Sequence, residues 1–359
     1  MIKKVRNQQT LSLIISIIYI LIISYYFLNK IHILNITTFG LFNFTTPLLI
    51  YLCTPSIIIF LIVIHLKKNT NNSYSYRYLQ NIISTLNISH NDKEKAETNY
   101  KTYMNTIIYF KNILICLIIS TVYIAFYLLD TTYISTSFLF IVILAIYIII
   151  FLFIQVITLR LYSKYYINII DDQPYTFIYS SYLLQSQFRG TINKCILIYK
   201  MNISVALSHL GEYEDAYEYL KIIWNENKNK VNKMTMLIIN YNSFTFNQRL
   251  HKYDQAAVYK QEALKIINSM SKKAQTKKDI NLVLNNIKIE DMFMNKQWQN
   301  IVDFINTNNF NMKKVYYQFM LYNAYYHLGD NRADEIYENY KNHILFNKLI
   351  EIEMDECIR

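Results

Sequence analysis

Glycine and proline are scarce in this chain, with only 4 and 3 among 359 residues. With so few residues that break or bend a backbone, connections are short and long helices are favoured. Cysteine is equally sparse: Cys53, Cys116, Cys195 and Cys357 stand far apart, none in a C-x-x-C pair. That spacing excludes a disulfide framework and a zinc site. No Gly-rich phosphate loop, H-E-x-x-H or G-x-S-x-G occurs, so the sequence offers no catalytic residue, no metal site and no cofactor, and predicts a protein that is not an enzyme.

What is present is hydrophobic and basic. Apolar residues make up 53% of the chain and charged residues only 17%, with a net charge of +11. The excess is uneven: residues 1–160 hold 12 Lys and Arg against 4 Asp and Glu, and residues 161–359 hold 24 against 21. A nearly neutral second half argues against nucleic acid as a partner. The 34 tyrosines accompany abundant Ile, Asn and Lys, a pattern expected of AT-rich coding, and are not read one by one as chemical signals.

Four apolar runs occupy the first half, at Leu11–Leu28, Leu41–Leu66, Ile113–Leu129 and Ile134–Leu159. A helix needs roughly 20 apolar residues to cross hydrocarbon. The runs therefore predict four transmembrane helices arranged as two hairpins over residues 1–160, with the lipid bilayer as a partner. Lys3, Lys4 and Arg6, the basic residues of loop 67–104, and Arg160 and Lys164 set the orientation. The positive-inside rule then predicts a multi-pass protein of the cell membrane with both termini and that loop cytoplasmic. Within the loop, Tyr78, Leu79, Ile82, Ile83 and Leu86 fall on one helical face, expected either to lie along the bilayer surface or to form a short solvated helix.

After Arg160 the pattern becomes amphipathic helices with polar connections. Ser208-His209-Leu210-Gly211 is echoed by Tyr326-His327-Leu328-Gly329, and His251-Lys252-Tyr253-Asp254-Gln255-Ala256 and Lys296-Gln297-Trp298 form turns of similar shape. Ser204, Gly211, Tyr213 and Ala216 in the first unit, Tyr253, Ala256 and Ala263 in the second, and Trp298 and Gly329 later resemble the small, turn and aromatic positions of the tetratricopeptide repeat (TPR) family. The turns at 211, 251, 296 and 329 are spaced by 40, 45 and 33 residues, so only the last interval approaches the family's length of about 34. The closing proline of that family is absent. The segment Asp171–Gly190, entered through Pro174, is expected to form a preceding helix, and Glu351, Glu353, Asp355 and Glu356 a solvated tail.

The resulting fold class is all-α: a four-helix transmembrane domain followed, over residues 161–359, by a TPR-like α-solenoid of about four helix pairs. The resemblance implies a concave face that binds a cytoplasmic protein or peptide. Its candidate lining residues are Asn202, His209, Tyr241, Asn242, Arg249, Asn323 and Tyr326. A membrane-anchored scaffold or adaptor is the leading expectation. The other two readings are a membrane-bound peptide-sensing receptor, akin to the TPR sensors of Gram-positive bacteria, and an immunity or transport-associated membrane component.

Overall fold

A computed structural model describes residues 73–107 and 160–187, then 193–358 apart from 230, 309 and 313, with scattered positions between 109 and 157. Among the described residues every regular element is helical and none is a strand. They fall into two compact units: the described parts of Glu94–Ile167 and Leu183–Thr191 in one, and Asn72–Lys93, Asn168–Tyr182 and Ile192–Arg359 in the other.

In the first unit the core is aromatic. Tyr100, Tyr103, Tyr162 and Tyr166 are all buried, with Tyr103 edge-on and Tyr162 stacked against Tyr166, both at 5.2 Å between ring centroids. Such offset and T-shaped pairs suit the ring quadrupole. These four tyrosines, whatever the compositional bias, therefore serve as core material.

The larger unit begins with α1 (Tyr74–Thr85), capped by the Ser73 hydroxyl, which accepts from the Tyr76 N–H. Next comes α2 (Pro174–Gln187), the preceding helix expected from Pro174, of which the residues up to Tyr182 belong to this unit. Four pairs follow: α3 (Asn193–His209) with α4 (Tyr213–Asn227), α5 (Lys233–Arg249) with α6 (Tyr253–Asn268), α7 (Lys278–Met294) with α8 (Trp298–Thr307), and α9 (Val315–Leu328) with α10 (Arg332–Tyr340). Each of these helices packs on the next in sequence, and α5 also touches α3 and α7. The last helix, α11 (Ile344–Ile358), buries Leu345, Phe346, Leu349 and Ile350, packing on α9 and reaching α3. The acidic segment expected as a solvated tail thus continues the helix that these buried residues dock.

One turn geometry recurs between the partners of the four pairs. The backbone is left-handed at Gly211 (φ 81°), His251 (φ 58°), Lys296 (φ 53°) and Gly329 (φ 69°). At the first, the N–H of Gly211 donates to the Ser208 carbonyl and that of Glu212 to Leu207; the same two bonds run from His251 to Gln248 and Lys252 to Asn247. They recur from Lys296 to Phe293 and Gln297 to Met292, and from Gly329 to Tyr326 and Asp330 to Tyr325. This is the Schellman motif, which satisfies carbonyls that a helix end otherwise leaves bare. The residues that follow the first three turns, Glu212, Lys252 and Gln297, share ψ near 60° and launch the next helix in the same direction. Four residues into that helix the chain buries Ala216, Ala256 or Ile301, whereas in α10 Ala333 is buried from the second position.

Two expectations are corrected. The predicted placement in the cell membrane does not stand, because among the described residues no helix is long and apolar enough to cross a bilayer. The first three apolar runs lie outside the described residues, as does the fourth but for a few positions. The loop helix does not lie along a lipid surface either. Leu79 and Ile82 of α1 are 0% and 3% exposed, and α1 packs on α4. Its apolar face is covered by protein. A helix of 12 residues is in any case too short to span hydrocarbon.

The turns give a stability test that separates backbone from packing. A Cβ at Gly329 would meet nothing within 4 Å, so Gly329→Ala should cost about 1 kcal/mol from the left-handed backbone alone. Lys296→Gly should gain roughly 0.5–1 kcal/mol, the left-handed penalty relieved less the added unfolded-state entropy. Opposite shifts in the urea-unfolding midpoint check both; parallel shifts would mean that the turns do not limit stability.

Candidate functional site

The residues predicted to line a groove fall into three environments. Asn202 on α3 is half-buried, in a stripe with Ile198 and Val205, and Ile198 is 45% exposed. Tyr326 on α9 is 63% exposed. Asn242 and Asn323 are buried between helices, the latter donating its amide to the Phe319 carbonyl one turn back. The remaining three, Tyr241, Arg249 and His209, belong to internal polar clusters.

Arg249 ends α5 with its side chain 10% exposed, and its Nη2 donates to both carboxylate oxygens of Glu290, at 2.9 and 3.1 Å. Glu290 is 1% exposed on α7 and also accepts from the Tyr316 hydroxyl on α9 at 3.0 Å. The guanidinium lies 5.8 Å from the centre of the Phe293 ring. Burial works against the Arg249 charge. The Glu290 carboxylate, with Tyr213, Tyr316 and Glu353, outweighs it and holds the pKa above the ordinary arginine value. Alongside, Tyr317 donates to the Asn286 carbonyl oxygen at 2.9 Å, and the Asn286 amide donates to the Tyr241 hydroxyl at 3.1 Å. Both chains of contacts cross α5, α7 and α9, so these first helices of three pairs are pinned together by polar bonds inside the array. Glu290, Asn286 and Tyr317 were missed in the sequence. Glu290 did leave a signal, since Ile280, Val283, Ile287 and Glu290 follow one helical stripe and a carboxylate in an apolar stripe needs a partner.

His209 and His327 hold the same place in the repeated phrase but not in the fold. The His209 Nδ1 sits 3.4 Å from the Ile170 carbonyl oxygen and 3.5 Å from Asp171. Burial lowers its pKa from 6.5, against the opposing pull of Asp171 and the Ile170 carbonyl. His327 is exposed and stacks on Trp298 at 4.3 Å. The other repeat positions behave as packing demands. Ser204, Ala216 and Ala263 are 0% exposed, Tyr213 packs near Phe246, and Tyr253 bonds through its hydroxyl to His251 Nδ1. The four lysines Lys272, Lys273, Lys277 and Lys278 are exposed around the α6–α7 connection.

A second, partly buried cluster carried no sequence signal. Ser75 of α1, 0% exposed, donates its backbone N–H to Glu226 Oε1 (2.9 Å) and its hydroxyl to Oε2 (2.7 Å). Lys200 of α3 donates to both the Ser75 hydroxyl (2.6 Å) and Glu226 (3.0 Å). Burial disfavours the Glu226 charge, but the two Ser75 bonds and Lys200 outweigh it and lower the pKa. The serine hydroxyl points its proton at a carboxylate and is shut from solvent. The trio therefore fastens α1 to α3 and α4 rather than forming a nucleophile.

Two measurements follow. Glu290→Leu alone or Arg249→Met alone should destabilise by about 3–5 kcal/mol, because each strands a buried charge, and the double substitution should recover most of the loss. Additive losses in urea unfolding would mean that the pair is not coupled. As for pH, a histidine whose folded pKa is depressed contributes full stability above its unfolded pKa near 6.5. That contribution is lost as pH falls below it, because only the unfolded chain then binds the proton. His209→Gln should flatten the fall in thermal midpoint between pH 7.5 and 5.5; an unchanged slope would assign that fall to other groups.

Compared with known proteins, the chain matches no family model, no curated protein and no solved structure.

Proposed function

We propose that the array from α3 to α10 is a TPR-like solenoid that acts as a scaffold, holding an extended peptide or protein segment along the first helices of its pairs. The observation that carries this reading is the recurrence of one left-handed turn at Gly211, His251, Lys296 and Gly329, each joining two helices that pack on each other. A repeated unit of this kind leaves an apolar face open at each pair, and stacking neighbours on that face yields a long, regular surface. On it the partly exposed Ile198, Asn202 and Val205 of α3 and Ile238 and Thr245 of α5 mix apolar contact with groups able to bond a peptide backbone. The buried bonds among Arg249, Glu290 and Tyr316 keep the helices under that surface in one arrangement, and a rigid surface loses less entropy on binding.

The reading is tested by selecting segments from a displayed peptide library on the full-length chain, then measuring the best binder against variants. Ile198→Glu should weaken capture at least tenfold by placing a charge in the apolar contact, and Asn202→Ala by roughly two- to tenfold, the worth of one hydrogen bond. Lys277→Ala, on the α6–α7 connection, should leave it unchanged. Equal effects at all three positions, with circular dichroism unaltered, would reject the scaffold.

A further inference from the structure

The fourth pair carries an aromatic surface that the internal network does not use. Tyr322 and Tyr326 stand one turn apart on α9, and Tyr337 reaches them from α10. The Tyr322 ring is 6.0 Å from each of the other two, at interplanar angles of 29° and 33°. Behind it Phe346 of α11 packs edge-on at 5.5 Å, fixing the floor. Tyr326 and Tyr337 are 63% and 40% exposed, so the three rings form an exposed aromatic strip, the trough, on α9 and α10.

Its charge is negative. Asp334 lies one turn before Tyr337 on α10, with Glu335 beside it, both exposed. Neither carboxylate has an ion-pair partner among the described residues. The nearby cations are committed elsewhere: Arg332 pairs with Asp330 and lies 4.0 Å from the centre of the Tyr325 ring, and Lys341 pairs with Glu338. Burial above all, and the Asp334 carboxylate among its neighbours, raise the Tyr322 pKa. Elsewhere in the described chain, Tyr217, Phe293, Phe304 and Tyr325 each have a lysine or arginine over the ring. No such contact covers the three trough rings among the described residues.

We propose that the trough of Tyr322, Tyr326 and Tyr337, with Asp334 at its edge, seats a lysine or arginine side chain of the partner segment. Ring faces attract a cation through their quadrupole, and exposed rings with a carboxylate beside them favour an ammonium or guanidinium over a neutral group. The inference rests on the scaffold reading and names the chemistry of its ligand: a basic stretch of a partner protein, whose cationic side chain is held at the α9–α10 end of the array.

The test uses the purified full-length chain and two fluorescein-labelled probe peptides, four Lys-Gly-Ser repeats and the matching Glu-Gly-Ser repeats, read by fluorescence polarisation. The lysine peptide should bind and the glutamate peptide should not. Tyr326→Leu and Tyr337→Leu should each weaken binding roughly two- to fivefold, the worth of one exposed ring–cation contact, whereas Tyr326→Phe should retain it. Asp334→Asn should weaken it further and reduce its salt dependence. Tyr326 is exposed, so its replacement should leave circular dichroism unchanged. Binding that falls with Asp334→Asn but ignores both Tyr→Leu changes would overturn the trough in favour of diffuse attraction. Failure of the lysine peptide, while library-selected segments are still captured in an Ile198-dependent way, would overturn this inference and leave the scaffold standing. Equal binding of both peptides would overturn it as well.

Discussion

The arrangement of the array depends on a buried ion pair. Arg249 and Glu290 are nearly sealed from water, and such a pair is tolerable only where every lone pair and proton has a partner. Here Tyr316 supplies one bond to the carboxylate and Phe293 offers its ring to the guanidinium. Because the partners stand on α5, α7 and α9, satisfying the charges forces three pairs into a single register. The neighbouring bonds of Asn286 with Tyr241 and Tyr317 repeat the constraint on the same three helices. Apolar burial holds the pairs together but is non-directional. The polar bonds specify which arrangement of those pairs is adopted.

The turns supply the second constraint. Residues with a Cβ occupy the left-handed position at His251 and Lys296, where they carry a steric penalty that Gly211 and Gly329 avoid. The same helix-ending hydrogen bonds form at all four sites, so packing on either side outweighs that penalty. At Gly211 a further demand applies, since an added Cβ would come within 3.1 Å of the Lys348 side chain on α11. The last helix thus uses space that a glycine in the first pair leaves open. It shields the apolar side of α9 and meets α3 as well.

These constraints bear on binding. Rigid inner helices put their polar groups to internal use, which removes Arg249, Tyr241, Asn242 and Asn323 from simple exposure and leaves Asn202 and Tyr326 as the more accessible members of the predicted set. The open surface is divided between a mixed stripe on the first two pairs and an aromatic, acidic trough on the fourth. A segment that met both would contact the array with apolar or amide groups at one end and a cation at the other.

Much of the helical organisation was legible in the sequence. Scarce glycine and proline implied helices, Pro174 marked the entry to α2, and the positions 211, 251, 296 and 329 marked the turns, because local backbone chemistry is written in local residues. The alanines at 216, 256 and 263 were likewise readable as sites of close helix contact, which only a small side chain permits. Local pattern could not tell what would cover an apolar face. The stripe of α1 read as a surface for lipid and is covered by protein, and the acidic C-terminal segment read as a tail and continues a helix docked through Leu345, Phe346, Leu349 and Ile350. Nor could it tell equivalent positions apart: His209 and His327 share a phrase, yet one is buried beside Asp171 and the other stacks in the open on Trp298. The sequence by itself determined the helices and where they end, since those depend on neighbours a few residues away. Only the tertiary structure decided the pairing of Arg249 with Glu290, of Ser75 with Glu226, and of the three tyrosines, because burial and charge pairing depend on residues brought together across 15 to 151 positions of chain.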